Sequence, residues 1–376
     1  MSLGKERRPV MLVIASLSAG GAERVLSTMA NYWAARDRQV TIVTLSDGSD
    51  DHYSVDPRVR RVALAVAGAS NNKWIALARN LGRIFALRRT MRAAAAPVVI
   101  GFGDQTNVLT VLAATGTGRR VIVYEQVDPR HHALAAPWGR LRMWTYRRAY
   151  RLVVQTAGLV PWASSLVGDA RCCVIENPVP KPKDVARPPR RVGTRHTVLA
   201  VGRLDQQKGF DVLLQAFAQV ASEFDDWDLV ILGEGIERPH LSAQSDELGI
   251  AERVSLPGIV TDPERVMSAS DLFVLSSRYE GFPNALLEAM ACGMPVISTD
   301  CPSGPGEIIR ADLDGLLVPV DDVAALAQAM SRLMRDERMR ATLGQRARSV
   351  CERFDVNMVM AKWERLIDLD VAGCDD

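Results

Sequence analysis

Apolar residues come in two arrangements along this chain. Val10–Ala15, Val40–Leu45, Val98–Phe102, Val121–Tyr124 and Leu152–Gln155 are short continuous runs, as are Thr197–Val201, Leu229–Leu232, Val254–Pro257, Leu272–Leu275 and Gly315–Val318. Such runs predict strands buried on both faces of a parallel sheet. Val59–Val66 reads as one further strand. Between the runs the apolar residues recur at helical spacing, as in the stretch ending near Trp33, in Asn72–Ala96, in Phe210–Ser222, in two helices within 321–353 and in Val356–Leu369. Strand and helix therefore alternate through both halves, which predicts an α/β fold of two doubly wound parallel-sheet domains. Pro180–Thr194 (PKPKDVARPPRRVGT) is too rich in proline and charge for regular structure and reads as a linker. The expected organisation is a domain over 1–179, the linker over 180–194, a domain over 195–354 and a terminal helix over 355–376.

Asp271–Thr299 (DLFVLSSRYEGFPNALLEAMACGMPVIST) is the most informative stretch. It predicts a strand at Leu272–Leu275, a polar loop over Ser276–Phe282 and a helix with Pro283 in its first turn. Gly293 supplies a left-handed stop, and Pro295 blocks continuation. Glu280 lies in the loop and Glu288 on the helix. The helix N-terminus between them offers free N–H groups and partial positive charge, which suit a diphosphate. Carboxylates repel phosphate but accept hydroxyl protons, as from a ribose or a sugar. A helix N-terminus flanked by two such acceptors fits a nucleotide sugar. Gly202-Arg203-Leu204-Asp205-Gln206-Gln207-Lys208-Gly209 follows the first strand of the second half and enters a helix. Its two cations suit the same diphosphate, Arg203 as a fork and Lys208 as a point charge.

The run Glu280-Gly-Phe282-Pro-Asn284-Ala285-Leu286-Leu-Glu288-Ala resembles the E-x7-E signature of retaining glycosyltransferases of the GT-B fold, with family 4 the best match. The G-R-L-x-x-x-K-G pattern is matched in full. The resemblance implies two Rossmann-like domains facing each other across a cleft, the acceptor on the first and the nucleotide-sugar donor on the second. It implies that Arg203, Lys208 and the amides of Asn284, Ala285 and Leu286 hold the diphosphate. Glu280 would hold sugar hydroxyls and Glu288 the ribose, with Phe282 among the donor-binding residues. Gly20-Gly21, after the first strand, matches a loop that borders the donor diphosphate in the family; taken alone it also fits a plain tight turn. Glu125, in Glu125-Gln126-Val127-Asp128-Pro129-Arg130-His131-His132, matches a loop whose acid lies near the reacting centre. There it is a candidate for orienting or deprotonating the acceptor hydroxyl. The family often places a basic residue next; here that position holds Gln126, and the two histidines read as loop residues. The last helix commonly returns to the first domain in this fold.

The implied function is transfer of a hexose or N-acetylhexosamine from a nucleotide-diphosphate sugar, UDP-linked by expectation, to a hydroxyl of a glycan or polyprenyl-diphosphate-linked saccharide. No cofactor is expected, and no metal, since fixed cations take its place. Asp312/Asp314 and Asp368/Asp370 read as incidental. Asp300-Cys301-Pro302-Ser303-Gly304-Pro305 resembles the branch that assembles bacterial surface polysaccharides and glycans. A GT-B epimerase or sugar-phosphate hydrolase is the rival enzyme class. A dehydrogenase is disfavoured by the missing G-x-G-x-x-G fingerprint.

Charge adds one feature to this picture. The net charge of +2 conceals a basic first half, with 24 Lys+Arg against 12 Asp+Glu over residues 1–180. An anionic partner follows, either a membrane surface or a polyanion. Nucleic acid would leave Glu280 and Glu288 unexplained, and none is expected. Lys73, Arg79, Arg83, Arg88, Arg89 and Arg92 interleave with Trp74, Leu77, Leu81 and Phe85. That helix fits an anionic bilayer surface or an ordinary surface helix with its apolar side in the core. Trp138–Arg151 is similarly basic and aromatic. The six cysteines show no metal-ligand spacing and are expected reduced. Met1–Pro9 is polar and no run reaches membrane-spanning length, so a cytoplasmic, soluble or peripheral protein is expected.

Overall fold

The computed structural model describes residues 7–68, 72–132, 134–182 and 195–368. The linker expected over 180–194 falls largely outside them, as do Asp370 and Cys374. The chain forms two compact units, one running to Pro178 and resuming at Val356, the other spanning Val179–Asp355.

The first unit runs β1 (Val10–Ile14), α1 (Gly21–Ala34), β2 (Val40–Thr44), β3 (Arg60–Ala63), α2 (Lys73–Ala93), β4 (Val98–Phe102), α3 (Asp104–Ala114), β5 (Arg120–Tyr124), α4 (Trp138–Tyr146), β6 (Arg151–Val154), α5 (Val160–Val167) and β7 (Cys172–Val174). Its seven strands are parallel, in the order β3-β2-β1-β4-β5-β6-β7. Every residue of β1 is buried because the sheet is covered on both faces. Val10, Leu12 and Ile14 pack with α1, whereas Met11 and Val13 pack towards α2 and α3.

The second unit runs β8 (His196–Val201), α6 (Phe210–Ala221), β9 (Trp227–Leu232), α7 (Arg238–Glu247), β10 (Val254–Gly258), α8 (Pro263–Ala269), β11 (Leu272–Leu275), α9 (Asn284–Ala291), β12 (Val296–Thr299), α10 (Pro305–Ile308), β13 (Leu316–Val318), α11 (Val323–Arg335), α12 (Glu337–Ala347) and α13 (Val350–Arg353). Its six strands are parallel in the order β10-β9-β8-β11-β12-β13. The last helix, α14 (Val356–Asp368), belongs to the first unit. Its Met360, Trp363 and Ile367 are fully buried in the α1-side core, and the Trp363 ring meets Tyr124 edge-on at 5.1 Å.

In each unit the strand order reverses beside the first strand, between β1 and β4 and between β8 and β11. Loops leaving the C-terminal ends of strands diverge at such a point and open a crevice for ligands.

Several boundaries differ from expectation for local reasons. Pro283 is the residue before α9, extended at φ −73° and ψ 95°, rather than its first turn. Residues 321–353 form three helices, because the chain breaks again around Arg348–Ser349. After Thr156 the chain makes a 3-10 turn, and α5 starts at Val160. The basic stretch from Trp138 ends as a helix at Tyr146, and Arg151 already opens β6. Gly293 ends α9 at φ +79°.

Candidate functional site

In the second unit the loops after β8 and β11 are neighbours, because those strands pair. The first passes through Gly202–Asp205 and a 3-10 turn, Gln206–Lys208, before α6. Gly209, between turn and helix, adopts φ +60°, and a Cβ there would lie 2.2 Å from the Ser276 carbonyl oxygen. Only glycine lets the two loops approach this closely. Hydrogen bonds then join them: Ser276 Oγ donates to the Lys208 carbonyl at 2.8 Å, and Gln207 Nε2 to the Tyr279 carbonyl at 2.9 Å. Below, Arg278 makes a two-pronged bond to Asp211 at 2.7 and 3.0 Å and also pairs with Asp321 at 2.8 Å.

This framework brings Lys208 and Glu280 together. Lys208 Nζ donates to Glu280 Oε1 at 2.6 Å, and Ser277 Oγ donates to the same oxygen at 2.6 Å. Both side chains are largely buried, Glu280 at 7% exposure and Lys208 at 18%. The Lys208 and Ser277 bonds both go to Oε1, and among the described residues none engages Glu280 Oε2. Arg203 is mostly exposed and pairs with Asp205. Cys301, on the loop after β12, is buried nearby; burial, reinforced by the Glu280 charge, pushes its thiol up to about 12. It is therefore a neutral thiol, not a nucleophile.

The start of α9 sits on the same loop. Leu286 and Leu287 N–H groups donate to the Pro283 carbonyl at 3.1 and 3.2 Å, while the Ala285 N–H has no such partner. Asn284 and Glu288 are half-buried on this helix. The Leu286 and Phe282 side chains belong to the core, Phe282 edge-on to Phe354 at 5.4 Å. Those two residues can therefore present only backbone to a ligand. Asp205 and Ser277, which orient Arg203 and Glu280, escaped the sequence reading; their signal was a polar residue beside each motif. The Gly233-Glu234-Gly235 turn after β9 braces the same site. A Cβ on Gly233, at φ +140°, would lie 1.9 Å from the Gly202 carbonyl oxygen. That glycine lets the turn support the Arg203 loop, where Leu204 N–H donates to the Glu234 carbonyl at 2.9 Å.

In the first unit Gly20 and Gly21 lie at the switch point, Gly20 extended and Gly21 opening α1. Across β4 and β5, a polar cluster collects Asp104, Glu125, His132, Arg142 and Tyr146. Glu125 is 1% exposed, and Tyr146 OH donates to its Oε2 at 2.8 Å. Burial pushes its carboxyl up to about 7, against the lowering effects of Tyr146 and the Arg142 charge. The cation whose charge acts on Glu125 is Arg142 of α4, itself buried. Its place one helical turn before Tyr146 was the available signal. His132 is more than a loop histidine: its Nε2 lies 3.3 Å from Asp104 Oδ2, and that bond raises its proton affinity. Asn177 is buried and accepts from Tyr124 OH at 2.6 Å and Gln155 at 2.9 Å, a structural role. Asp51 is held by Arg61 at 3.0 Å and buried Asp314 by Arg310 at 2.6 Å. Among the described residues no cluster of His, Cys, Asp and Glu has the arrangement of a metal site.

Residues 20–178 match the glycosyl transferase 4-like domain, and residues 183–350 match glycosyl transferases group 1. With these two domains in sequence spanning most of the chain, it belongs to the GT-B glycosyltransferases. It is 27% identical to a Campylobacter jejuni alpha-1,4-N-acetyl-D-galactosaminyltransferase named for a diNAcBac-PP-undecaprenol-linked GalNAc acceptor, over 95% of this chain and 98% of that one. It is 29% identical to an exopolysaccharide phosphotransferase of Streptomyces coelicolor over 95% of its own length, but spans only 40% of that protein. The structure superposes on Anabaena HepE, solved in complex with UDP and glucose, with a TM-score of 0.79 at 20% identity, covering 96% of this chain and 99% of HepE. That likeness is one of fold.

Proposed function

We propose that this glycosyltransferase is a retaining, metal-independent enzyme. It moves a hexose or N-acetylhexosamine from a UDP-sugar to a hydroxyl of a glycan or lipid-linked saccharide. The observation that carries the reading is the Lys208–Glu280 pair beside the start of α9, where the Ala285 N–H has no backbone acceptor among the described residues. A cation, a carboxylate acceptor and undonated backbone N–H lie on two stitched loops at a switch point. Lys208, Arg203 and the Ala285 amide stabilise the departing diphosphate as its charge develops. Glu280 Oε2 accepts sugar hydroxyls, and Glu288 accepts those of the ribose. The bond from the anomeric carbon to the diphosphate oxygen breaks, the acceptor oxygen bonds the same carbon from the same face, and its proton passes to the departing diphosphate. Glu125 orients the acceptor hydroxyl. The UDP seen with HepE supports the base, and the undecaprenol-linked acceptor in the Campylobacter enzyme's name supports the acceptor class.

The test is calorimetry with UDP, GDP and ADP in EDTA, on wild type, Arg203→Ala and Glu288→Ala, followed by NMR of the product anomer. UDP binding that weakens in both variants, with an α-linked product from an α-linked donor, is the expected outcome. Binding of no nucleotide, or an inverted product, overturns the reading.

A further inference from the structure

Arg278 is the only cation in Asp271–Thr299, and it stands two residues before Glu280. All three of its guanidinium nitrogens are engaged by protein. Nη1 donates to the Gln206 carbonyl at 2.7 Å and to Asp211 Oδ1 at 3.0 Å, and Nη2 donates to Asp211 Oδ2 at 2.7 Å. Nε lies 2.8 Å from Asp321 Oδ1. The Arg278 backbone N–H donates to the Gln207 carbonyl at 2.8 Å. Arg203 makes the contrast: it is mostly exposed, and its one ion pair among the described residues is with Asp205. The Arg203 fork can turn to a ligand, whereas the Arg278 fork is spent on the fold.

The elements that Arg278 joins are distant in sequence. Gln206 belongs to the 3-10 turn that carries Lys208. Asp211 lies in the first turn of α6, and Asp321 in the turn between β13 and α11. Each residue of the Gln206–Lys208 turn is also bonded to the loop after β11. Gln206 is held through Arg278 Nη1, and Gln207 through the Arg278 N–H and its own amide on Tyr279. Lys208 is held through Ser276 Oγ and through Glu280. The two loops therefore form one block, and the Arg278 side chain ties that block to α6 and to the β13–α11 turn.

Geometry separates this from ordinary surface pairing. A lysine is a point charge and cannot serve a carbonyl and two carboxylates as a planar fork does. Asp321 meets Arg278 from a left-handed backbone, at φ +58°, which costs a non-glycine residue free energy. The side chains of Arg278, Asp211 and Asp321 keep 28%, 32% and 53% of their exposure. Pairs this open to water add little to stability. What they fix is position.

We propose that Arg278 is a positioning residue for the diphosphate site. Anchored by Asp211 and Asp321, it holds the two loops so that Lys208 Nζ and the start of α9 stand ready for one diphosphate, and it acts through Lys208 rather than on the ligand. The proposal rests on the donor-site reading above and adds the group that preorganises that site.

The experiment is calorimetry of the full chain with UDP in EDTA, beside saturation-transfer NMR with uridine. The proteins are wild type, Arg278→Met, Arg278→Lys, Asp321→Asn, Lys208→Met and the double variant Arg278→Met with Lys208→Met. Arg278→Met should weaken UDP by about tenfold, and Arg278→Lys by nearly as much. Asp321→Asn, at a half-exposed side chain, should weaken it by about two- to threefold and carries the test should Arg278→Met fail to fold. The double variant should bind UDP within about twofold of Lys208→Met, because a residue that acts through Lys208 has nothing left to position. Uridine, which lacks phosphate, should bind every variant as it binds wild type. Arg332→Met, which removes the exposed Arg332–Asp312 pair of the same unit, should change neither ligand. Melting temperatures show which variants fold. If Lys208→Met binds UDP as wild type does, the donor-site reading fails and the proposal falls with it. If Lys208→Met weakens UDP but Arg278→Met does not, or if the two losses multiply in the double variant, the donor site stands and the positioning role is overturned. Equal weakening of uridine would assign Arg278 to the fold alone, and full recovery in Arg278→Lys would assign it to charge alone; either result overturns the proposal.

Discussion

Lys208 Nζ and Glu280 Oε1 are 2.6 Å apart, and the Ser277 hydroxyl shares that oxygen. The lysine therefore does two things: it orients a buried carboxylate and it presents charge to the loop. Lys208→Met should remove both, leaving Glu280 buried and unpaired. On the proposed role of Lys208 as a diphosphate cation, a fall in kcat of about 10²–10³ is expected. Lys208→Met combined with Glu280→Gln should cost far less than the sum of the two single changes, because the members of a contacting pair are coupled. Steady-state kinetics of the four proteins checks this; additive losses would mean that the pair does not act as a unit.

Glu125 makes a prediction in pH. Its folded carboxyl is pushed up to about 7 by burial, from an ordinary value of 4.5. The folded state then holds the proton more tightly than the unfolded state. Stability from this group is fully present below about pH 4.5 and is lost as pH rises towards 7. The loss amounts to roughly 2–4 kcal/mol at 1.36 kcal/mol per unit. Glu125→Gln should flatten the fall in melting temperature between pH 5 and pH 8, measured as the difference from wild type. His132, raised by Asp104, loses stability with rising pH as well, so the difference rather than the raw profile is the readout. Parallel profiles would show that Glu125 is not held protonated.

The Gly233 turn can be tested through packing alone. An alanine Cβ would collide with the Gly202 carbonyl and would sit at a φ reserved for glycine. Gly233→Ala should destabilise the second unit by roughly 2–4 kcal/mol. It should also displace the Arg203 loop, so that on the proposed donor-site reading UDP affinity falls more than stability alone explains. Denaturant unfolding beside calorimetry separates the two effects, and a neutral substitution would mean that the turn does not brace the loop.

How much of this was legible in the sequence depends on the range of the interaction. Strands such as Val10–Ile14 announce themselves because burial on both faces demands an unbroken apolar run. Glu280, Glu288, Arg203 and Lys208 stand in motifs that local spacing exposes. Ser277 and Asp205 do not, since their importance lies in which carboxylate or cation they touch. Arg142 brings its charge near Glu125 only because α4 packs on α3, and Gly233 is required only because Gly202 approaches it from another strand. The two-sided character of α2 was half legible. Its apolar positions were visible, but only packing divides buried Leu87 and Met91 from exposed Trp74 and Phe85.

The attachment of α14 offers an asymmetric pair of substitutions. Arg38 is fully buried in side chain, and its guanidinium meets Asp368 at 2.6 and 3.1 Å and the Arg8 carbonyl at 2.9 Å. Asp368 is a third exposed. Removing the acid strands a charge in the core, whereas removing the arginine leaves a carboxylate that water can reach. Asp368→Asn should therefore destabilise the first unit, by about 2–4 kcal/mol after allowance for the exposed partner. Arg38→Met with Asp368→Asn should recover part of that loss, because no buried charge remains. Trp363→Ala, which empties the largest side chain of the helix from the core, should cost about 3–5 kcal/mol. Urea unfolding of the four variants gives the ranking. If Asp368→Asn proves milder than Arg38→Met alone, the helix is held by its apolar face and the ion pair adds only its position.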